Sequence, residues 1–420
     1  MNAVALIDCN NFYVSCERLF QPQLNDKPII VLSNNDGCVV SRSQEVKALG
    51  IPVGIPMFEI RDQVIEHDIQ VYSSNYTLYG DISSRVHEAI GHFSNKIENY
   101  SIDEAFVELE ENRYLQSFFN AGVEIRSKVR RWTGIPTSVG IGPTKTLAKI
   151  AGDVAKKSPE GVFDLMSEDL QDQILEKTEL LDIWGINTAT AKRLKGIGIS
   201  SAKDLRDMDI RSGRKLLTVV GARLIQELRG KPNLSLELIT PRRKSICCSR
   251  SFSAEVKTYA ELAESVRNFV STAAEKMRRQ KLVANAINLF IETNRFREKG
   301  LYTNSATIKI QPTDSTRELI GYAIQVLQRI YKSGYGYRKS GVILLGLQPV
   351  EGETPRLFGE KQYQEDRTLM RTIDTVNAKY GRNAVRFGLA ASNQTRWHMN
   401  RNHLSKAYTT NADQILRVIV

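Results

Sequence analysis

Short apolar runs in this chain border three carboxylates. The apolar run Val4-Ala5-Leu6-Ile7 stops at Asp8, and two expected strands, 97–101 and the more apolar 105–109, flank Asp103-Glu104. Runs of this length and composition predict strands. Carboxylates at the ends of buried strands are costly unless positive charge neutralises them. Hard divalent cations do so through oxygen ligands, and Mg²⁺ takes carboxylates together with substrate phosphates. Three convergent carboxylates therefore suggest two metals and phosphoryl chemistry. A flat strand would aim Asp103 and Glu104 at opposite faces, so either the turn after Ser101 brings them together or only one of them is a ligand.

Strands and helices alternate through the first 165 residues. Strands are expected at 4–8, 28–33, 38–41, 97–101, 105–109 and 137–141. Helices are expected at 12–19, 43–49, 75–93, 114–132 and 143–154. Asn34-Asn35-Asp36-Gly37 is a turn signal. The pattern is an α/β domain with a smaller lobe inserted near residues 20–75. Composition changes at Lys157-Ser158-Pro159-Glu160-Gly161, after which only short helices are expected.

Trp184-Gly185-Ile186-Asn187 precedes a helical segment and then Gly196-Ile197-Gly198-Ile199. This reads as a helix-hairpin-helix, whose backbone N–H groups suit a DNA phosphate; an ordinary helical hairpin is the alternative. Gly221, in Val219-Val220-Gly221-Ala222, marks a weaker second copy. Past the linker at Pro241-Arg242-Arg243-Lys244 the order is strand 245–253, helix 259–280, strands 283–293 and 305–311, helix 315–331, strand 337–347. That order is a split βαβ sandwich. Residues 351–420 read as irregular, with one helix at 363–378.

A chain of 420 residues implies about two to four domains. No apolar run approaches the roughly 20 residues of a membrane helix, and a cytoplasmic location is expected. The five cysteines form no CxxC pair, which disfavours both a disulfide framework and a structural zinc site. The net charge of +11 is uneven: residues 1–240 carry −4, residues 241–350 carry +11 and residues 351–420 carry +4. A basic region beside an acidic catalytic half suggests a polyanion clamp.

Phosphoryl transfer needs position, metals and positive charge on the departing phosphates. Asp8 and Asp103 are candidates to bridge two cations, and Glu104 to hold the one that activates an attacking hydroxyl. Arg42, Lys47 and Lys156 are candidate phosphate partners, with Ser41 offering a hydroxyl. Phe12-Tyr13 follows Asp8, where a ring could exclude a sugar 2′-hydroxyl by volume. A core aromatic is the alternative for either ring.

Asp8-Cys9-Asn10-Asn11-Phe12-Tyr13, Ser101-Ile102-Asp103-Glu104-Ala105 and Gly142-Pro143-Thr144-Lys145-Thr146-Leu147-Ala148-Lys149 resemble the Y-family translesion DNA polymerases. Residues 33–40, 73–79 and 248–252 narrow the resemblance to the UmuC type, the catalytic subunit of bacterial DNA polymerase V. It covers essentially the whole chain. It implies a multidomain α/β and α+β right hand: palm at 1–20 and 77–165, fingers at 21–76, a helical thumb at 166–235, a DNA-binding little finger at 243–350 and a partner-binding tail at 351–420. It implies two Mg²⁺ ions held by Asp8, Asp103, Glu104 and the Cys9 carbonyl. Tyr13 carries over as the steric gate, with Phe12 beside it. Ser41, Lys47 and Lys156 carry over as triphosphate contacts. Gly185, Gly221, Arg242, Arg243, Lys244 and Arg250 are the expected DNA contacts.

The implied reaction is error-prone, template-directed addition of dNTPs to a primer end past damaged bases, in the SOS response and without proofreading. The implied partners are primer-template DNA, a processed UmuD-type dimer and a RecA filament. A sliding clamp could use Leu357 and Phe358, although the Gln usual in that motif is missing. Gln44 stands where many members have Tyr, and Lys47 where many have Arg. A nucleotide cyclase also uses a two-metal palm but has no need of a basic second half. A non-enzymatic DNA-binding scaffold would not need intact acids.

Overall fold

The computed structural model describes residues 2–110, 117–239, 241–294, 300–352, 360–381, 384–387, 397 and 399–415. It divides into two compact units. The first comprises Met1–Ser33, Gly37–Thr240 and His403–Val420; the second comprises Asn34–Asp36 and Pro241–Asn402.

Within the first unit the elements are β1 (Asn2–Cys9), α1 (Phe12–Phe20), β2 (Ile29–Leu32), β3 (Val39–Arg42), α2 (Gln44–Ala48), α3 (Arg61–Glu66), β4 (Gln70–Ser73), α4 (Tyr76–Gly91), β5 (Ile97–Asn99), β6 (Glu104–Glu110), α5 (Phe118–Thr133), β7 (Thr137–Gly142), α6 (Lys145–Ala155), β8 (Val162–Asp164), α7 (Glu168–Lys177), α8 (Thr188–Lys195), α9 (Ala202–Asp207) and α10 (Ile210–Leu228). The main sheet runs β5-β6-β1-β7-β8. Its central strand follows the period-2 rule. Ala3, Ala5 and Ile7 pack with α1, α4 and α5 residues such as Val14, Ile82 and Ile125, while Leu6 joins Phe106 and Ala148 of α6 on the opposite face. The sheet is thus covered on both faces, as its continuous apolar strands require.

A smaller sheet, β3-β2-β4, forms the inserted lobe. Its core is Ile30, Leu32, Val39, Val46, Ile51, Ile60 and Ile69. Two of its elements, α3 and β4, were not expected. β4 is short and pairs in parallel with β2, so nothing local marks its ladder. The expectation of helices alone after residue 161 is also corrected. Three residues, Val162–Asp164, form β8 and extend the main sheet beside β7. Such a strand is made by its partner and not by its own propensity. Helices α7 to α10 then pack around Leu175, Leu180, Leu194, Leu205 and Leu228.

Within the second unit the elements are β9 (Ser245–Val256), α11 (Tyr259–Arg279), β10 (Leu282–Thr293), β11 (Thr303–Thr313), α12 (Thr316–Ile330), β12 (Tyr337–Leu345), β13 (Gln348–Pro349) and α13 (Glu360–Tyr380). The sheet runs β11-β10-β12-β9, and α11 and α12 supply the helical half of its core. This is the expected split βαβ order. α13 is longer than the sequence suggested. It is held to the unit by Arg278 on Asp374 at 2.7 Å, Arg317 on Asp366 at 2.8 Å and Arg367 on Asp314 at 3.2 Å. All five cysteines are free thiols. Among the described residues no helix is long and apolar enough to cross a membrane.

Candidate active site

Strand pairing brings the acids together. Asp8 sits directly opposite Glu104 in the β1–β6 ladder, so their side chains share one face. Asp103 precedes β6 and lies in a turn. The Ser101 hydroxyl accepts the N–H groups of Asp103 (3.2 Å) and Glu104 (3.0 Å) and donates to the Asp103 carboxylate at 2.6 Å. The Cys9 N–H donates to the Asp103 carbonyl at 2.9 Å, which closes the turn against β1. This answers the geometric problem posed by neighbouring acids: one is on the strand and the other is off it.

A cleft of about 750 Å³ is lined by Asp8, Cys9, Phe12, Ser41, Arg42, Lys47, Asp103 and Lys156, with residues from α6 and α7. Glu104 does not line it. Its carboxylate instead takes the Lys149 ammonium at 2.9 Å, which lies 4.6 Å from the Tyr100 ring centre. Among the described residues no three acidic, imidazole or thiol side chains gather closely enough to hold one ion together. As packed, the acid group is therefore two carboxylates in the cleft and a third bound to a lysine at its edge.

Electrostatics nevertheless suit a cation. Burial pushes the Asp8 carboxyl up to about 6; Lys156 opposes this, and Glu104 and Asp103 add to it. A second cation beside Asp8 would relieve that penalty. Lys156 already lies 2.8 Å from Asp8. Burial opposes the Lys156 charge, but Asp8, Asp153 and Glu104 outweigh it and raise its pKa. The donor set is all oxygen, the chemistry of Mg²⁺ and not of a soft metal.

The aromatic pair divides. Phe12 is 3% exposed and belongs to the core cluster even as it borders the cleft. Tyr13 is half-buried, and its ring stacks on Tyr79 with centres 4.5 Å apart. Arg42 donates to the Ile51 carbonyl, so its guanidinium is partly committed to structure. Lys47 is exposed and Ser41 half-buried on the cleft wall.

The expected DNA contacts lie elsewhere. Gly185 precedes α8 with φ +90° and open space around it. Gly221 sits inside α10, just beyond a break at Thr218 (φ 67°). A side chain there would collide with Leu217, so packing also accounts for this glycine. Arg242, Arg243 and Lys244 are exposed, and Arg250 lies on β9.

Sequence reasoning missed Lys149, Lys157, Lys177 and Asp182 as residues of the site or its rim. A signal existed for the first. Lys145, Lys149 and Lys156 recur four and seven residues apart, which is one helical face. Lys145 is buried on Glu98 while Lys149 and Lys156 reach Glu104 and Asp8.

The impB/mucB/samB family matches residues 7–153, and that family's C-terminal domain matches residues 243–357. A domain of unknown function matches residues 367–418. The chain is 38% identical over 427 aligned residues to protein UmuC of Salmonella typhimurium, covering 99% of each. It is 26% identical to DNA polymerase IV of Bacillus velezensis, covering 91% of each. The solved Y-family DNA polymerase chimera of Dbh and Dpo4 shares the fold, with a TM-score of 0.66 over 83% of this chain and 99% of that one at 21% identity. The chain therefore belongs to the impB/mucB/samB family, the UmuC-type translesion DNA polymerases of the Y family.

Proposed function

We propose that the cleft holds a dNTP and a primer 3′ end, with Asp8, Asp103 and the Cys9 carbonyl as ligands for two Mg²⁺ ions. The observation that carries this reading is the meeting of Asp8, Asp103, Ser41, Lys47 and Lys156 in one cleft. Its size falls within the range of small-molecule sites, roughly 300–1,000 Å³. When bound, the ions supply charge stabilisation for the attacking and leaving oxygens. Glu104 would join them through its second carboxylate oxygen, or by releasing Lys149, which engages Oε1. Lys47 and Lys156 neutralise the phosphates, and Ser41 donates its hydroxyl to them. The primer hydroxyl attacks the α-phosphate, and pyrophosphate leaves. Tyr13 is the gate that rejects a ribose 2′-hydroxyl.

In this reading the main sheet with α4, α5 and α6 is the palm, and the β3-β2-β4 lobe is the fingers. Helices α7 to α10 are the thumb, and the second unit is the little finger. Gly185, Gly221, Arg242, Arg243, Lys244 and Arg250 contact the primer-template. The activity serves the SOS response in the cytoplasm, with a processed UmuD-type dimer and a RecA filament as partners. Leu357 and Phe358, the proposed clamp contacts, lie outside the described residues.

Primer extension with Mg²⁺ and dNTPs tests the reading. Asp103→Ala should lower turnover about a thousand-fold, equivalent to about 4 kcal/mol of transition-state stabilisation. Equal extension by the variant would remove Asp103 from the chemistry.

A further inference from the structure

Residues 403–408 lie in the region matched by a domain of unknown function, and they seat on the first unit. The Ser73 N–H donates to the His403 carbonyl at 2.9 Å, and the His403 N–H donates to the Ser73 hydroxyl at 3.0 Å. Leu404 forms a parallel bridge with Ser73 at the end of β4. Asn75 donates to Ser405 Oγ at 3.1 Å and to the carbonyls of Ser405 and Lys406 at 3.3 Å. The same side chain caps α4 by accepting the Leu78 N–H. Tyr408 is 9% exposed and stacks on Phe20 of α1 with centres 4.8 Å apart.

One contact leads inward. The Ser405 hydroxyl donates to Glu17 Oε1 at 3.0 Å, and the Tyr79 hydroxyl donates to the same oxygen at 2.6 Å. Glu17 is fully buried, and its second oxygen has no hydrogen-bond partner. With only two donors for a buried carboxyl, each one matters. Tyr79 is in turn the ring on which Tyr13 stacks, and Tyr76, in the first turn of α4, meets Tyr13 edge-on at 6.0 Å. The contacts thus run from Ser405 through Glu17 and Tyr79 to Tyr13, and from Ser405 through Asn75 to the start of α4.

We propose that residues 403–408 brace the sugar gate, with Ser405 as the positioning residue that holds Tyr79 and α4 against Tyr13 and Tyr408 anchoring the segment on Phe20. The proposal rests on the reading of Tyr13 as the gate. Van der Waals rejection of a 2′-hydroxyl requires a ring that cannot yield, and a ring is only as rigid as the surface behind it. The tail supplies part of that surface from more than 300 residues away in sequence.

The test uses the full chain assembled with its UmuD-type partner, and compares Ser405→Ala/Tyr408→Ala with wild type. The ratio of kcat/KM for dCTP over CTP should fall at least ten-fold while kcat for dCTP changes less than two-fold. Ser405→Thr/Tyr408→Phe, which keeps the hydroxyl and the ring, should restore the ratio. Hydrogen exchange at the start of α4 should rise in the alanine variant alone. General destabilisation would lower both nucleotides' rates together and would overturn the proposal, as would faster exchange with an unchanged ratio. Tyr13→Ala in the same assay separates the two claims. If it admits ribonucleotides and the tail variant does not, the gate stands and the brace falls. If neither admits them, both fall.

Discussion

Glu17 is a fully buried carboxyl with one oxygen lacking a hydrogen-bond partner. Burial pushes its carboxyl from the usual 4.5 up to about 7, although hydrogen bonds from Tyr79 and Ser405 pull it down. Between those two values the folded chain keeps a proton that the unfolded chain has lost. Its contribution to stability is therefore full below pH 4.5 and is lost as pH rises through about 7. The shift corresponds to on the order of 3 kcal/mol. Glu17→Gln preserves the shape and removes the titration. Its melting temperature relative to wild type should climb between about pH 5 and about pH 8, tracked by thermal unfolding. A constant difference across that window would mean that Glu17 does not titrate there. No sequence rule marks this residue, since its position on α1 reads as an ordinary polar one. The proposed catalytic acids were legible for the opposite reason. Asp8 ends an apolar run and Asp103-Glu104 stand between two expected strands, and carboxylates so placed need a chemical explanation.

At the scale of elements, α6 shows how closely a helix can be fitted to a sheet. A Cβ on Gly140 of β7 would stand 2.0 Å from the Gly152 nitrogen of α6. The missing side chain at Gly140 lets the β7 backbone meet the α6 backbone at Ala148 and Gly152, with Lys149 and Lys156 of the same helix segment reaching Glu104 and Asp8. Gly140→Ala should destabilise the chain by about 3 kcal/mol in denaturant titration, because the obstacle is backbone and cannot rotate away. A loss below about 1 kcal/mol would mean that the helix shifts freely. The long periodic elements α4, α5, α11 and α12 were readable within a few residues, as were the strands β9 to β12. Of the equally short elements, β2, β3, β5 and α2 were readable too, but α3, β4 and β8 were not. Their pairing partners, and not their own patterns, make them.

Along the whole sequence the positive charge is concentrated in the second half. Residues 241–350 hold a net +11 and residues 1–240 a net −4. If Arg242, Arg243 and Lys244 each neutralise one DNA phosphate, replacing all three with alanine should flatten the slope of log affinity against log salt by about 3. Fluorescence anisotropy on a primer-template over a salt series measures this, and an unchanged slope would place these side chains away from the phosphates.

Periodicity, apolar runs and charge are local properties of a sequence, and they determined the α/β alternation, the split βαβ order and the carboxylates at the strand ends. Strand geometry also left two outcomes for Asp103 and Glu104, a turn that gathers both or a single ligand, and the cleft is lined by Asp103 without Glu104. Tertiary structure alone decided that Glu104 pairs with Lys149, that Phe12 joins the core while Tyr13 stacks on Tyr79, and that Ser405 reaches Glu17. Each of these depends on which surfaces meet across long stretches of chain. That outcome follows from packing the whole fold at once, and no window of sequence contains it.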